Sequence, residues 1–210
     1  MREDRVQQEG QVEEKPHNVP GVLRLYAKIP PERVGVLIGE GGKVKLEVMR
    51  RTGTRIVVDS TTGMVIIEPE SPDTPPYKVM KAQEFVKAIA YGFSPERALR
   101  VLDDDQVLVV IDLKQHVGDS PNHLKRVKGR IIGEKGKARK TIEEMTGTYI
   151  SVYDNYVAII GDYESATIAK QAIEMLIEGR QHSTVYRYLE REMFKLRRAR
   201  MTQLWEKNNF

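Results

Sequence analysis

The chain is 210 residues long, with 40% apolar and 30% charged side chains and a formal net charge of +4. That composition supports a packed core and excludes global disorder, and the length allows one large domain or two small ones. No stretch nears the ~20 apolar residues of a membrane span, residues 1–5 lack the apolar region of a secreted precursor, and cysteine is absent, which removes disulfides, thiol catalysis and cysteine-ligated zinc. In chain order, residues 1–20 are polar and aperiodic and read as a disordered tail. Residues 22–29 alternate like a half-buried strand, and Pro30-Pro31 opens a short helix. After Gly42 the positions Val44, Val48 and Met49 suit a second helix, which Gly53 stops. Strands at 55–59 and 64–68 flank a Ser-Thr-Thr-Gly turn. A helix over 77–92 turns Val79, Met80, Phe85, Val86 and Ile89 inward. A linker follows from Gly92-Phe93-Ser94-Pro95, with Asp103-Asp104-Asp105 as a solvated turn. The elements then recur: a strand at 106–113, helices at 121–131 and 137–145, a hairpin of 149–153 and 156–161 around Asp154-Asn155, and a helix over 164–178 with Ile168, Ala172, Ile173, Leu176 and Ile177 inward. Hairpin cross-strand packing is the preferred role for Tyr149, Tyr153 and Tyr156 over base stacking. Tyr186, Leu189, Met193, Leu196 and Leu204 place a last helix on the second unit, with its arginines outward.

The charge is uneven. Residues 1–20 hold five acids against three bases, whereas residues 123–140 hold eight bases (Lys125, Arg126, Lys128, Arg130, Lys135, Lys137, Arg139, Lys140) against Glu134 alone. A second basic run follows Arg180. An isolated run of this kind is usually a solvated helix face; what it surrounds decides whether it meets a polyanion.

It surrounds a repeat. Residues 35–58 and 129–152 align without a gap at a constant offset of 94, with eleven identities in twenty-four positions. Each copy reads β-α-α-β-β-α, a small α+β layer fold. In each, two helices meet at Gly-x-x-Gly: Gly39-Glu40-Gly41-Gly42 and Gly133-Glu134-Lys135-Gly136. Glycine allows a tight corner and close approach of another chain, and the N–H groups of the following helix face whatever lies above. That suits a phosphodiester backbone, with Leu37-Ile38, Ile131-Ile132, Ile56 and Ile150 as an apolar floor for bases. A P-loop is excluded, because Leu37 and Ile131 stand where its first glycine belongs and Val44 or Ala138 follows the lysine.

Ile-Gly-x-x-Gly-Lys between two helices, followed by Thr-Gly and a strand, resembles the KH module, whose loop clamps about four single-stranded nucleotides. The tandem arrangement, the Gly92–Pro95 linker and the extra helix after Gly179 are similar to the archaeal counterpart of the partner-of-Nob-one family of small-ribosomal-subunit assembly factors. The resemblance implies an α+β fold of two type I KH modules, each a three-stranded sheet with helices on one face, plus a C-terminal helix. The boundaries are a disordered tail at 1–20, module 1 at 21–92, a linker at 93–105, module 2 at 106–180 and a helical extension at 181–210. It further implies a non-enzymatic, cytoplasmic protein without cofactor or metal, binding single-stranded RNA near the pre-16S rRNA 3′ end. A Nob-type endonuclease and the alpha subunit of translation initiation factor two are the implied protein partners, and no membrane is involved. Eukaryotic members lack a good first Gly-x-x-Gly; this chain keeps it. The expected RNA-binding residues of module 2 are Lys128, Gly129, Arg130, Ile132, Gly133, Glu134, Lys135, Gly136, Lys137, Arg139 and Lys140. Those of module 1 are Arg33, Ile38, Gly39, Glu40, Gly41, Gly42, Lys43 and Lys45. Because affinity grows with the phosphates neutralised, module 2 is expected to dominate. The rivals are an RNA-decay or transcription adaptor, and a protein-only scaffold docking the translation-initiation machinery.

Overall fold

A computed structural model describes residues 23–208, the last six by backbone alone. The tail expected at 1–20 and the side chain of Leu204 lie outside the described residues. Module 1 runs β1 (Leu25–Lys28), α1 (Pro31–Ile38), α2 (Lys43–Thr52), β2 (Thr54–Val58), β3 (Met64–Pro69) and α3 (Pro76–Ala90). Its antiparallel sheet has the order β1-β3-β2. Pairing of Ala27 with Val65, and of Ile67 with Ile56, puts one apolar row against the helices. The Thr-Gly-Thr repeated in both copies has a packing reason. Gly53 ends α2 in a left-handed conformation (φ 61°), while the buried Thr52 hydroxyl donates to the Val48 carbonyl and pairs with Thr54. Gly147, Thr146 and Thr148 repeat the device.

The stretch expected as a linker is folded. Pro95–Ala98 forms α4 and Leu99–Leu102 a 3₁₀ turn, with Phe93, Ala98, Val101 and Leu102 buried in the module 1 core. The solvated turn at Asp103–Asp105 is as expected. Module 2 runs β4 (Gln106–Asp112), α5 (Leu113–Val117), α6 (Pro121–Ile132), α7 (Lys137–Thr146), β5 (Tyr149–Tyr153), β6 (Tyr156–Asp162) and α8 (Tyr163–Ile177), with sheet order β4-β6-β5. The short α5 is additional to the expected elements; the Asp112 carboxylate caps it by accepting from the Lys114 amide. Met80, expected inward, is 57% exposed.

The second sheet is covered on both faces. Ile111, Val157, Ile159 and Ile150 meet module 2's own helices. Leu108, Val110, Ala158, Ile160 and Tyr149, on the other face, join the module 1 core. Gly92 lies so close to this face that a Cβ there would stand 2.6 Å from the Tyr153 Cβ. The three hairpin tyrosines belong to this junction: Arg97 and Arg100 lie 4.9 and 5.0 Å from the Tyr149 ring, Tyr153 donates to Glu32 at 2.7 Å, and the Tyr156 ring sits 5.0 Å from Tyr91. Across the hairpin Tyr153 stands opposite Tyr156 and Tyr149 opposite Ile160, the cross-strand neighbours expected of them, and their contacts with module 1 are additional. Among the described residues the first sheet's corresponding face, with Tyr26 and Met64, has no such cover, and these two side chains are exposed.

The last helix, α9 (His182–Asn208), buries Leu189, Met193 and Leu196 and half-buries Tyr186, as its spacing predicts; Val185, not in that prediction, is also buried and joins the module 2 core with Leu189. It runs back along α8: the His182 ring bonds the Arg130 carbonyl at 2.9 Å, and farther along Arg200 pairs with Asp162 at 2.6 Å and Glu164 at 2.8 Å. Among the described residues, no helix is long and apolar enough to cross a membrane.

Candidate nucleic-acid interface

The two Gly-x-x-Gly loops have nearly one backbone. Gly39 and Gly133 have φ of 73° and 72°, Gly42 and Gly136 of 78° and 79°, and between them Gly41 and Lys135 take φ of 59° and 49°. Each loop is a single 3₁₀ turn, Glu40–Gly42 or Glu134–Gly136, that hands the chain to α2 or α7. The amides of Gly42 and Lys43, and of Gly136 and Lys137, are bonded within the turn, so it is the next N–H groups and the positive end of each helix that face the loop.

The outer glycines serve different ends. A Cβ at Gly39 would lie 2.9 Å from the Val44 Cβ and 3.0 Å from its amide nitrogen; at Gly133 it would lie 2.6 Å from the Ala138 Cβ and 2.8 Å from its nitrogen. The first glycine thus lets the next helix pack close, which corrects the expectation that both glycines make room for an approaching strand. At Gly136 a Cβ would meet nothing within 4 Å, and at Gly42 only the Leu46 Cδ1 at 4.0 Å. The second glycine is the one that leaves the loop surface open.

The floor is narrower than expected. Leu37, Ile131, Ile56 and Ile150 are core residues at 2% exposure or less. Ile38 and Ile132, at the loop edges, are half-buried and remain available.

Around loop 2, Lys135, Lys137 and Lys140 are at least partly exposed and make no ion pair among the described residues. With Glu134, Thr141 and Glu144 they rim a shallow depression. Lys125 and Arg126 extend the cationic surface along α6, whose Leu124, Val127 and Ile131 are buried. The charge run contained these two, and the helical period places them outward. Other members of the run are committed. Lys128 donates to the Asp154 carbonyl at 3.0 Å, beside the exposed Gly129. The Arg130 guanidinium caps the end of α8 through the Gly179 carbonyl at 2.7 Å. Arg139 lies 3.9 Å from Glu143, which accepts from Arg97 and from the Ile150 amide.

Loop 1 is poorer. Lys43 is exposed and Lys45 half-buried, both without an ion pair among the described residues. Where module 2 has Lys140, module 1 has Leu46, 56% exposed. Arg33 is not a loop residue at all: it donates to the Ile89 carbonyl at 3.0 Å and to the Phe93 carbonyl, and faces the Tyr153 ring, at the junction of the modules. No His, Cys, Asp or Glu cluster among the described residues could hold a metal ion.

Two family models match. One, described as a eukaryotic-type KH domain of type I, covers residues 107–194, and a KH-domain model covers residues 25–86. The KH domain-containing protein MJ0443 of Methanocaldococcus jannaschii is 45% identical over 182 residues, 87% of this chain and 79% of that protein. The pre-rRNA-processing protein PNO1 of Phaeosphaeria nodorum is 28% identical over 159 residues, 75% of this chain and 61% of that one. Among solved structures, Dim2p in the a/eIF2alpha–aDim2p–rRNA complex of Pyrococcus horikoshii shares 46% identity, with a TM-score of 0.78 over 83% of this chain and 96% of that one.

Proposed function

The chain belongs to the tandem KH-domain family of PNO1 and archaeal Dim2p, and from that membership we propose that it is a non-enzymatic factor that binds single-stranded RNA near the 3′ end of small-subunit rRNA during its maturation. Loop 2 is the principal clamp in this reading. The observation that carries it is the pair of matched left-handed corners, each with an open second glycine, of which the second is ringed by lysines that make no ion pair among the described residues. Phosphates seat over the loop, amide hydrogens and ammonium groups neutralise them, and the bases lie toward Ile132. The aDim2p–rRNA complex supports the ligand class, and its eIF2alpha component supports the initiation-factor subunit as a protein partner. A Nob-type endonuclease as neighbour and a cytoplasmic location follow from the same reading.

Fluorescence anisotropy with a labelled small-subunit rRNA 3′ fragment and an unrelated strand tests it. Replacing Glu134 and Lys135 by aspartate abolishes most binding, and the salt slope falls by about 0.7 for each phosphate that is no longer neutralised. The same change at Glu40 and Gly41 does less; Lys135 already holds a side chain in that left-handed position, so the comparison is fair. The reverse order overturns the ranking. Equal affinity for both strands leaves a generic adaptor, and no binding leaves a protein-only scaffold.

A further inference from the structure

Away from both loops, a cleft of about 500 Å³ opens where the modules meet, within the range of sites that enclose small organic groups. β1 supplies Tyr26 and Lys28, the end of α3 supplies Lys87 and Tyr91, and the β5–β6 hairpin supplies Tyr153 and Tyr156. Four aromatic rings in one cleft exceed what the junction uses. Tyr91 and Tyr156 pack on each other, Tyr153 is held by Glu32 and the Tyr26 hydroxyl bonds Arg24, but Tyr26 is 54% exposed, on a face of the first sheet that no element among the described residues covers. Its side-chain neighbour along the strand, Lys28, is exposed and has no ion pair among the described residues. The Lys87 ammonium is half-buried and bonded only to Gln83, at 3.1 Å, among the described residues. One carboxylate, Asp154, lines the cleft against these two ammonium groups.

We propose that this cleft is a second RNA subsite, holding a base of the same strand against Tyr26 while Lys28 and Lys87 meet its phosphates. The inference rests on the RNA-binding reading above and extends it. Tyrosine faces stack any base, and hydroxyls and ammonium groups complement base edges and phosphate oxygens. A protein ligand has less to recommend it: two ammonium groups face one carboxylate, Lys28 makes no ion pair among the described residues, and the exposed ring stands beside it. The position also fits a continuous path. Pro30 and Pro31, at the start of α1, form part of the wall, and loop 1 lies at the other end of that helix, about 12 Å away for eight residues. Module 1 then contributes through its junction face rather than through its weak loop alone.

Anisotropy with a 12-nucleotide and a 4-nucleotide fragment of the same rRNA 3′ region tests the subsite, using Tyr26→Ala and Lys28→Glu. Both positions are exposed, and the unchanged melting of each variant is checked first. The 12-mer is expected to bind about fivefold or more weakly to each variant, while the 4-mer, which fills only one loop, keeps its affinity. Wild-type affinity of both variants for the 12-mer overturns the subsite and returns the cleft to another class of ligand. Parallel weakening of the 4-mer also overturns it, because the substitutions then act beyond the cleft. Failure of the RNA reading looks different: the unmodified protein itself binds neither fragment.

Discussion

Alanine separates the two outer glycines of a loop. At Gly133 the added methyl would press on the backbone nitrogen of Ala138 at 2.8 Å, and the residue would also have to hold φ at +72°. At Gly136 the surroundings are open and only the left-handed backbone is penalised. Gly133→Ala is therefore expected to cost about 2–5 kcal/mol, by strain plus overpacking, and Gly136→Ala about 1–2 kcal/mol. Yet the milder change places a methyl group on the surface a strand must approach. Urea denaturation should rank Gly133→Ala as more damaging to the fold, while Gly136→Ala keeps the fold and loses RNA affinity; equal stabilities would refute the division of labour. A second residue-scale effect is pH-dependent. The Tyr153 hydroxyl is the main reason the Glu32 carboxyl titrates below its ordinary range. A carboxyl lowered by folding stabilises above its unfolded pKa, about 4.3, and stops doing so as pH falls through the lower folded value. The melting difference between wild type and Tyr153→Phe is thus present at pH 7 and closes as pH drops below about 4. A difference that widens with acid would contradict this.

At the scale of elements, the regular helices and strands are legible in the sequence because their signals are local. Pro30-Pro31 and Pro121 start helices, Gly53 and Gly147 stop them, and alternation marks the strands. What the sequence hides is short or depends on distant partners. α4, α5 and the Leu99–Leu102 turn are too brief to show a period, so Phe93, Val101 and Leu102 read as linker although they are buried. Arg33 and Arg130 read as RNA ligands because basic charge is visible and its destination is not: their carbonyl partners lie 49 to 60 residues away. The loop glycines need no such knowledge, since positive φ is a property of the corner itself. α9 is legible too, through Leu189, Met193 and Leu196, but how much it matters follows from its packing. Val185 and Leu189 are fully buried against module 2, and Arg130, at the end of α6 beside loop 2, bonds the Gly179 carbonyl in the segment that leads into this helix. Leu189→Ala should cost about 2–5 kcal/mol, read as a lower urea midpoint with an unchanged slope. A cost below about 1 kcal/mol would mean the helix is an appendage.

For the whole molecule, the tandem repeat suggests two independent beads, and the packing says otherwise. Module 2 turns the outer face of its sheet, Leu108, Val110, Ala158 and Ile160, onto α3, α4 and the 3₁₀ turn, so both modules draw on one apolar cluster. Polar contacts lock the same junction: Arg97 pairs with Glu143 at 2.9 Å, Arg100 donates to Gln106 at 2.8 Å, and Arg33 ties α1 to the end of α3 under Tyr153. Units sharing a core cannot lose it separately, so heat should unfold residues 23–208 in one transition, with equal calorimetric and van't Hoff enthalpies. Gly92 is the sharpest probe of that coupling. It has φ of +92°, and a Cβ on it would stand 2.9 Å from the Ser151 hydroxyl oxygen, with Tyr153 closer still. Gly92→Ala must push the second sheet away from α3 without touching the interior of either module. If the junction is part of both cores, the single transition moves down as a whole. If the modules are merely adjacent, the substitution leaves them stable and splits or spares the transition. Scanning calorimetry distinguishes the two, and a split would also remove the fixed cleft on which a continuous RNA path across the modules depends.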